Sequence, residues 1–363
     1  MKKTLFLLIC LMLTNTIHAD DDAYIISQKA KLTLLSSYQL WQSDNDDISE
    51  FSIPIQLYYP FSRSLSFSIS GQQANASGDN YTDLSGISDA QVNFSYFLED
   101  ANLVLNSGIN IPSGKKELTI EEFETSRILS LSHFNFRLPG FGQGLNLNFG
   151  ATWAFPVSDK VVVGLGGSYQ IKGAYKPLSD MEFDYNPGDE VLLTAGLDMA
   201  ISRITSISVD GIFTSYSSDK YNDIEVFKAG NKFTVAMHIK HYIGYNDLSL
   251  FLRYRTRSKS SLPVTGSLTA EAEKSIPNNF DINAHYRFQL NNHIKLAILS
   301  TGRFYQASAL NDGVSIYGGG LGAEYLFNNN WSVLTNLKYY IGSYTNSDDF
   351  SGIEFLVGLS YTF

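Results

Sequence analysis

Apolar and polar residues alternate with period two along most of this chain. In 352–363 the apolar positions are Ile353, Phe355, Val357, Leu359, Tyr361 and Phe363. Between them stand Glu354, Leu356, Gly358, Ser360 and Thr362, mostly small or polar. Alternation of this kind marks a strand whose two faces meet different environments. It recurs in 88–98, with Ala90, Val92, Phe94, Tyr96 and Leu98 on one face, and in Leu103, Leu105, Ile109 and Ile111 after the turn at Glu99-Asp100. Further pairs are 31–41 with 50–59, 144–155 with 160–171, 191–201 with 205–216, 232–245 with 248–257, 280–290 with 294–304, and 314–327 with 331–344. With the single segment 64–70 they make about sixteen strands, fourteen being the next count.

The connections alternate between tight turns and longer loops. Tight turns carry Asn and Asp, as at Asn246-Asp247, Asn291-Asn292 and 328–330, because these residues tolerate positive φ. The longer ones include a Gly/Asn-rich loop at 71–86 and an insertion at 112–144, whose charged part 115–127 suits one or two helical turns. The insertion reads either as a plain extracellular loop or, through Ile128, Leu129, Leu131, Phe134 and Phe136, as a segment folded inward. Short turns at one end and long loops at the other, with an even strand count, predict an all-β, transmembrane, antiparallel up-and-down β-barrel. The seam, where the last strand must pair with the first, is its most exposed point, since Pro54 weakens the first hairpin.

Composition sharpens this. Lys2 and Lys3, an apolar run from Leu5 to Leu13, and Ala19 before Asp20 predict a signal peptide over 1–19 and a barrel over 20–363. Cys10 sits inside the apolar run after Ile9, which disfavours lipidation. The chain after the leader has no cysteine, which suits an exported barrel without disulfides. No run approaches the ~18 apolar residues of a membrane helix. Aromatics are 13%, with Tyr 22 and Phe 24, while hydrophobic content is an ordinary 44%; strands with one apolar face produce that balance. Without Lys2 and Lys3, 24 basic side chains face 36 acidic ones, which argues against nucleic acid as a partner. An aromatic C-terminal strand ending on Phe363 resembles the segment read by the barrel-assembly machinery of the outer membrane. Together these predict residence in the cell outer membrane, in contact with lipid. Tyr58, Tyr59, Trp153, Phe155, Phe327, Trp331, Tyr339, Tyr340 and Phe363 are expected in interfacial girdles.

If the apolar set faces lipid, its alternates line a lumen. His238, Lys240, Arg253, Arg255, Arg257, His285, Arg287, Lys295 and Arg303 fall on four strands consecutive in sequence, and so on one wall. An Arg facing lipid at mid-depth costs ~2–4 kcal/mol, so inward placement is favoured. Inward acids are expected elsewhere, at Asp198, Asp210, Glu324 and Glu354. Such a wall reads as a selectivity element for anionic or dipolar solutes or as an ion-pair network that fills the barrel.

Catalysis is disfavoured. His133 lies near Ser126, Glu124 and Ser132, a weak Ser/His signal. The sequence has neither the His…Asn-Gly…Ser-Arg pattern of outer-membrane phospholipases nor metal-ligand spacing, and no cofactor is expected. Gly318-Gly319-Gly320-Leu321-Gly322 has no following helix, so it is no phosphate loop; it reads as a close-packed or bulged wall.

Ser85-Gly86-Ile87-Ser88-Asp89-Ala90, the strand after it, and Gly108-Ile109-Asn110-Ile111-Pro112-Ser113-Gly114-Lys115 resemble the G-x-x-D…P-[ST]-G segment of the transporters named for the MetA pathway of phenol degradation. That family is distantly related to the long-chain fatty acid outer-membrane transporters. The resemblance covers about thirty residues. It implies passage of small hydrophobic or aromatic compounds. The Asn-Pro-Ala hatch of the fatty acid transporters has no counterpart here, so a hatch-based lateral exit does not carry over. The sequence therefore predicts an outer-membrane channel or transporter for a small-molecule solute. The alternative is a structural or adhesive barrel with a closed lumen and partner-binding loops.

Overall fold

Each of sixteen long strands pairs antiparallel with two neighbours, and the ring closes on itself. The computed structural model describes residues 29–44, 46–137, 141–264, 266–309, 312–346 and 349–363; the expected leader at 1–19 lies outside them. In chain order the elements are β1 (Lys31–Ser43), β2 (Asp47–Pro60), β3 (Leu65–Gly78), β4 (Tyr81–Ile87), β5 (Ala90–Leu98), β6 (Leu103–Ile111), α1 (Ile120–Leu129), β7 (Asn146–Ser158), β8 (Val161–Ile171), β9 (Tyr185–Asn186), β10 (Glu190–Ser202), β11 (Thr205–Tyr216), β12 (Ser218–Tyr221), β13 (Ile224–Lys228), β14 (Lys232–Ile243), β15 (Asn246–Arg257), β16 (Ser261–Val264), β17 (Ser267–Ala270), β18 (Asn279–Gln289), β19 (Ile294–Tyr305), β20 (Val314–Leu326), β21 (Trp331–Tyr344) and β22 (Asp349–Thr362).

The barrel consists of β1–β3, β5–β8, β10, β11, β14, β15 and β18–β22. β4 folds back on the outer part of β3, and β9, β12, β13, β16 and β17 form a separate five-stranded sheet in the long loops. The seam closes as the sequence predicts. β22 pairs with β1 from Lys31↔Thr362 to Ser43↔Phe350, and β1 pairs with β2 from Lys31↔Tyr58 to Gln42↔Asp47. Pro54 is accommodated within β2, opposite Gln72.

At three of the named tight turns the chemistry differs from the expectation: among the described residues, positions 246–247, 291–292 and 328–330 do not take positive φ, the turn before β15 takes it at Gly244 (φ 64°), and Asn side chains act as caps. The Asn291 side-chain oxygen accepts from the backbone N–H of His293 (2.8 Å) and Ile294 (3.0 Å), and that of Asn328 from Asn330 and Trp331 (both 2.9 Å). Asn102 adopts φ 50° after β5.

One register phase is exposed and apolar: Leu321 is 67% exposed and Phe355 46%. In a closed barrel this is the outer face, and an apolar outer band makes the molecule a transmembrane barrel of the outer-membrane type. Exposed aromatic groups cluster near the short turns, with Tyr59–Phe61 at 5.2 Å, Tyr325–Phe327 at 4.7 Å and Trp331–Tyr361 at 4.5 Å between ring centroids. Tyr58 and Tyr340 are exceptions to the expected girdles. Tyr58 lies opposite Lys31 on the inner face, and Tyr340 is 1% exposed. Two adjacent strand residues cannot both face lipid, so Tyr59 and Tyr339 take the outer positions.

The segment 71–86 is not the loop its Gly/Asn content suggests. β3 runs to Gly78 and β4 returns, with Ala74, Ala76 and Leu84 buried. The small alanines leave room for the insertion packed against them.

Candidate functional site: the bore and its inserted loop

The connection between β6 and β7 enters the barrel. It starts with α1, whose N-terminus is fixed by a capping box: the Glu122 N–H donates to Thr119 Oγ1 (3.2 Å), and the Thr119 N–H donates to Glu122 Oε2 (3.1 Å). Lys115 also pairs with Glu122. Leu129 at the end of α1, with Phe134, Phe136 and Phe141 beyond it, enters a buried cluster with barrel residues Trp41, Ile48, Ile316, Tyr340 and Phe350. Trp41 lies at 5.3 Å from Phe134 and 5.1 Å from Tyr340, centroid to centroid.

Polar contacts fix the loop's backbone to the wall. Arg303 Nη1 donates to the carbonyls of His133 (2.9 Å) and Phe134 (3.2 Å). Tyr305 Oη donates to the Ser132 carbonyl (2.9 Å) and Gln39 Nε2 to that of Asn135 (3.3 Å). The Arg137 N–H donates to Glu50 Oε1 at 3.0 Å. Buried carbonyls without partners would cost about 1–3 kcal/mol each, and these side chains meet that need. Glu354, 6% exposed, accepts from Tyr340 Oη (2.6 Å) and pairs with Lys338 (3.3 Å) and Arg137 (3.4 Å).

His133 is buried beside Phe134, Tyr305 and Phe350. Its Nε2 lies 3.3 Å from Tyr344 Oη. Burial, with the Arg303 charge second, holds its pKa down at about 4. The hydroxyl it meets is a tyrosine's, on the barrel wall.

Glycines in β20 make room for this packing. A Cβ on Gly318 would strike the Tyr340 ring, and one on Gly322 the Asn336 side chain. β19–β20–β21 keep a continuous register here, so the glycine run is a close-packed wall.

The register puts all thirteen sequence-derived positions on the inner face. They do different things there. Arg303 and Glu354 hold the loop. Arg253 pairs with Asp281 (2.7 Å) and Arg287 with Asp247 (2.9 Å), with His285 3.9 Å from Asp247. Arg257 donates to Tyr216 Oη (3.0 Å) and lies over its ring; Lys240 lies over the Tyr242 ring; His238 Nε2 meets Ser249 Oγ at 2.6 Å. Asp198 accepts from Ser208 Oγ (2.5 Å), close to Asp210, and Lys295 sits opposite Glu324. Arg255 forms no ion pair among the described residues. It sits between Thr234 and Asn279 in the cross-strand row.

Acids therefore interleave the basic wall, contrary to the expected segregation. Asp281 shares the inner phase with the bases, and β15 begins at Asn246, which brings Asp247 out of the turn and onto the inner face. Sequence reasoning also passed over Trp41, Gln39, Glu50, Arg137 and Tyr305. Alternation alone could have found the barrel members. Arg137 had no such signal, because a loop has no period.

The buried loop cluster packs on β1–β4 and β19–β22, while Ser113 also reaches the start of β5. Across the bore, inner-face Gln91 is exposed, and Asn93, Asn106, Asn148, Ser168, Gln170 and Thr194 are partly exposed.

No family model and no curated protein sequence matches the chain. Solved structures do. The CymD monoaromatic hydrocarbon channel is 11% identical, covering 100% of this chain and 95% of its own, with TM-score 0.48. OpdL of Pseudomonas aeruginosa is 13% identical over 92% of this chain and 98% of its own, with TM-score 0.49. OpdQ of the same organism is 10% identical over 93% and 100%, with TM-score 0.46. These are low-identity likenesses, and what CymD passes is a property of CymD.

Proposed function

We propose that this protein is an outer-membrane channel that passes small solutes, with its long loops outside the cell and its short turns in the periplasm. The observation that carries the reading is the one-sided placement of the inserted loop. It dries and fills one half of the bore, while polar side chains of the other half keep contact with solvent. A barrel built only for rigidity or adhesion has no need of a wet polar wall facing a docked loop.

Within that passage Arg255 is the cation best placed to meet a solute, since its neighbours Arg253 and Arg257 are already engaged by Asp281 and Tyr216. The pathway thus favours solutes bearing an anionic or strongly dipolar group. The segment around Asp89 and Gly114 resembles the MetA-pathway transporters, which points to small aromatic compounds as the cargo class. A benzoate-sized anion combines both requirements.

The test is reconstitution of the purified barrel in planar bilayers. Discrete conductance with anion preference, and uptake of benzoate by loaded liposomes, are expected. Ion-tight membranes with no uptake would overturn the reading and leave a structural barrel closed by its loop.

A further inference from the structure

Asp89 stands at the junction of β4 and β5, 6% exposed. Its two carboxylate oxygens reach both ends of the inserted loop. Oδ1 accepts from the Gly114 N–H (2.9 Å). Oδ2 accepts from the Gln143 N–H (2.7 Å) and from Asn110 Nδ2 (2.9 Å). The Asp89 N–H in turn donates to the Phe141 carbonyl (3.0 Å). Ser113 Oγ accepts from the Ala90 N–H (2.9 Å), and the Lys115 N–H donates to the Ile87 carbonyl (3.3 Å).

Close backbone approach at this point requires glycine. A Cβ on Gly86 would lie 2.9 Å from the Phe141 ring. One on Gly114 would lie 2.5 Å from the Phe141 carbonyl oxygen and 2.8 Å from that of Ile87. The Gly86…Asp89 and Pro112-Ser113-Gly114 elements, far apart in sequence terms from the loop's second end, thus meet in one clasp.

We propose that Asp89 is the positioning residue that holds the inserted loop across the bore, one carboxylate oxygen for each end of the loop. The wall contacts of Arg303 and Arg137 fix the middle of the loop, and the clasp sets where it enters and leaves. A carboxylate is required because a carboxamide has a single acceptor oxygen: Asp89→Asn must release one loop end or turn an N–H donor against another.

Two readouts on the full-length folded barrel test this. The first is limited trypsin cleavage within 115–137. Asp89→Asn is expected to raise its rate about tenfold or more, as the loss of a charge-assisted bond at the base of a docked segment implies. Asn110→Ala, which removes a partner of Asp89 on the barrel strand and leaves both loop ends attached, is expected to stay near wild type. The second is single-channel current, which rests on the channel reading: Asp89→Asn is expected to raise the mean conductance and add open-state flicker. A folded Asp89→Asn barrel with an equally protected loop would overturn the proposal. A wild-type barrel that does not conduct would overturn the channel reading alone, with cleavage still judging the clasp. If Asp89→Asn does not fold, amide exchange in the wild-type barrel decides. Slow exchange at both Gly114 and Gln143 supports the clasp, and fast exchange at both overturns it.

Discussion

The two halves of the bore are built on the same register and hold opposite contents. Along β19–β22 and β1–β3 the inner phase carries Ile316, Tyr340, Phe350, Trp41 and Ile48, interrupted by glycines, and is sealed by the loop. Along β14, β15 and β18 it carries Lys240, Arg253, Arg255, Asp281 and Arg287, which stay partly open to solvent apart from the buried Asp281. The strand pattern decides only which residues face inward. Whether an inner wall is dry or wet depends on what covers it, and here one connection covers half. The dry wall therefore holds the loop by burial and by bonds to backbone carbonyls, and the wet wall keeps its polar side chains open to the bore.

The largest break in this contrast comes from Trp41→Ala. Trp41 is 3% exposed and touches Phe134, Tyr340 and Phe350. Its loss should weaken loop docking by about 3–5 kcal/mol. The loop should then become cleavable by protease in a barrel that still migrates as folded. An unchanged protection profile would show that the cluster is not what holds the loop.

Acid should act in the same direction without mutation. An undocked imidazole titrates near 6.5, whereas His133 in its docked place titrates near 4. The undocked loop therefore takes up the extra proton between these values. Docking keeps its full strength above about pH 6.5, weakens as pH falls through that window by up to about 3 kcal/mol, and levels off below about 4. The Arg303 charge facing His133 opposes its protonation. Loop protection measured from pH 7 to 5 checks this, and His133→Phe should remove the loss over that range.

A finer probe is a pair of neighbouring glycines. On Gly318 a methyl group would meet the Tyr340 ring and Thr301 Cγ2, whereas on Gly319 nothing lies nearer than 4.0 Å. Gly318→Ala should cost about 1–3 kcal/mol through overpacking, and Gly319→Ala should fall within about 0.5 kcal/mol of wild type. Equal effects would mean that the β20 glycines serve the strand and not the loop beneath it.

Much of the barrel was legible because it depends on one local rule. Period two assigned sixteen strands, the seam and the inner phase, and Asn side chains marked the turns. What stayed hidden depends on contacts distant in sequence. The alanines of 71–86 read as loop until the inserted segment that needs their small size is in place. Asp247 read as turn because strand ends are set by pairing with Arg287, forty residues on. The Gly86…Asp89 and Gly114 segments stood out as a motif, yet only the fold brings Gln143 to the same carboxylate.

Arg255→Ala should have the smallest effect on stability and the clearest one on selection. Arg255 faces Arg253 and Arg257 along one strand and has no ion pair among the described residues, so its removal relieves like-charge crowding and breaks no salt bridge. Stability should stay within about 0.5 kcal/mol. A partly hydrated cation in a bore biases a passing anion by roughly 1 kcal/mol, a severalfold change in permeability ratio. The reversal potential in asymmetric chloride should therefore move toward zero by that factor in Arg255→Ala. Arg303→Met should instead disturb the loop, because Arg303 spends its donors on the carbonyls of His133 and Phe134. Two arginines on one inner phase would thus separate by phenotype, selection for the wet wall and docking for the dry one. If Arg255→Ala leaves the reversal potential unmoved while Arg303→Met shifts it, the solute follows the loop's edge and the wet wall is filler.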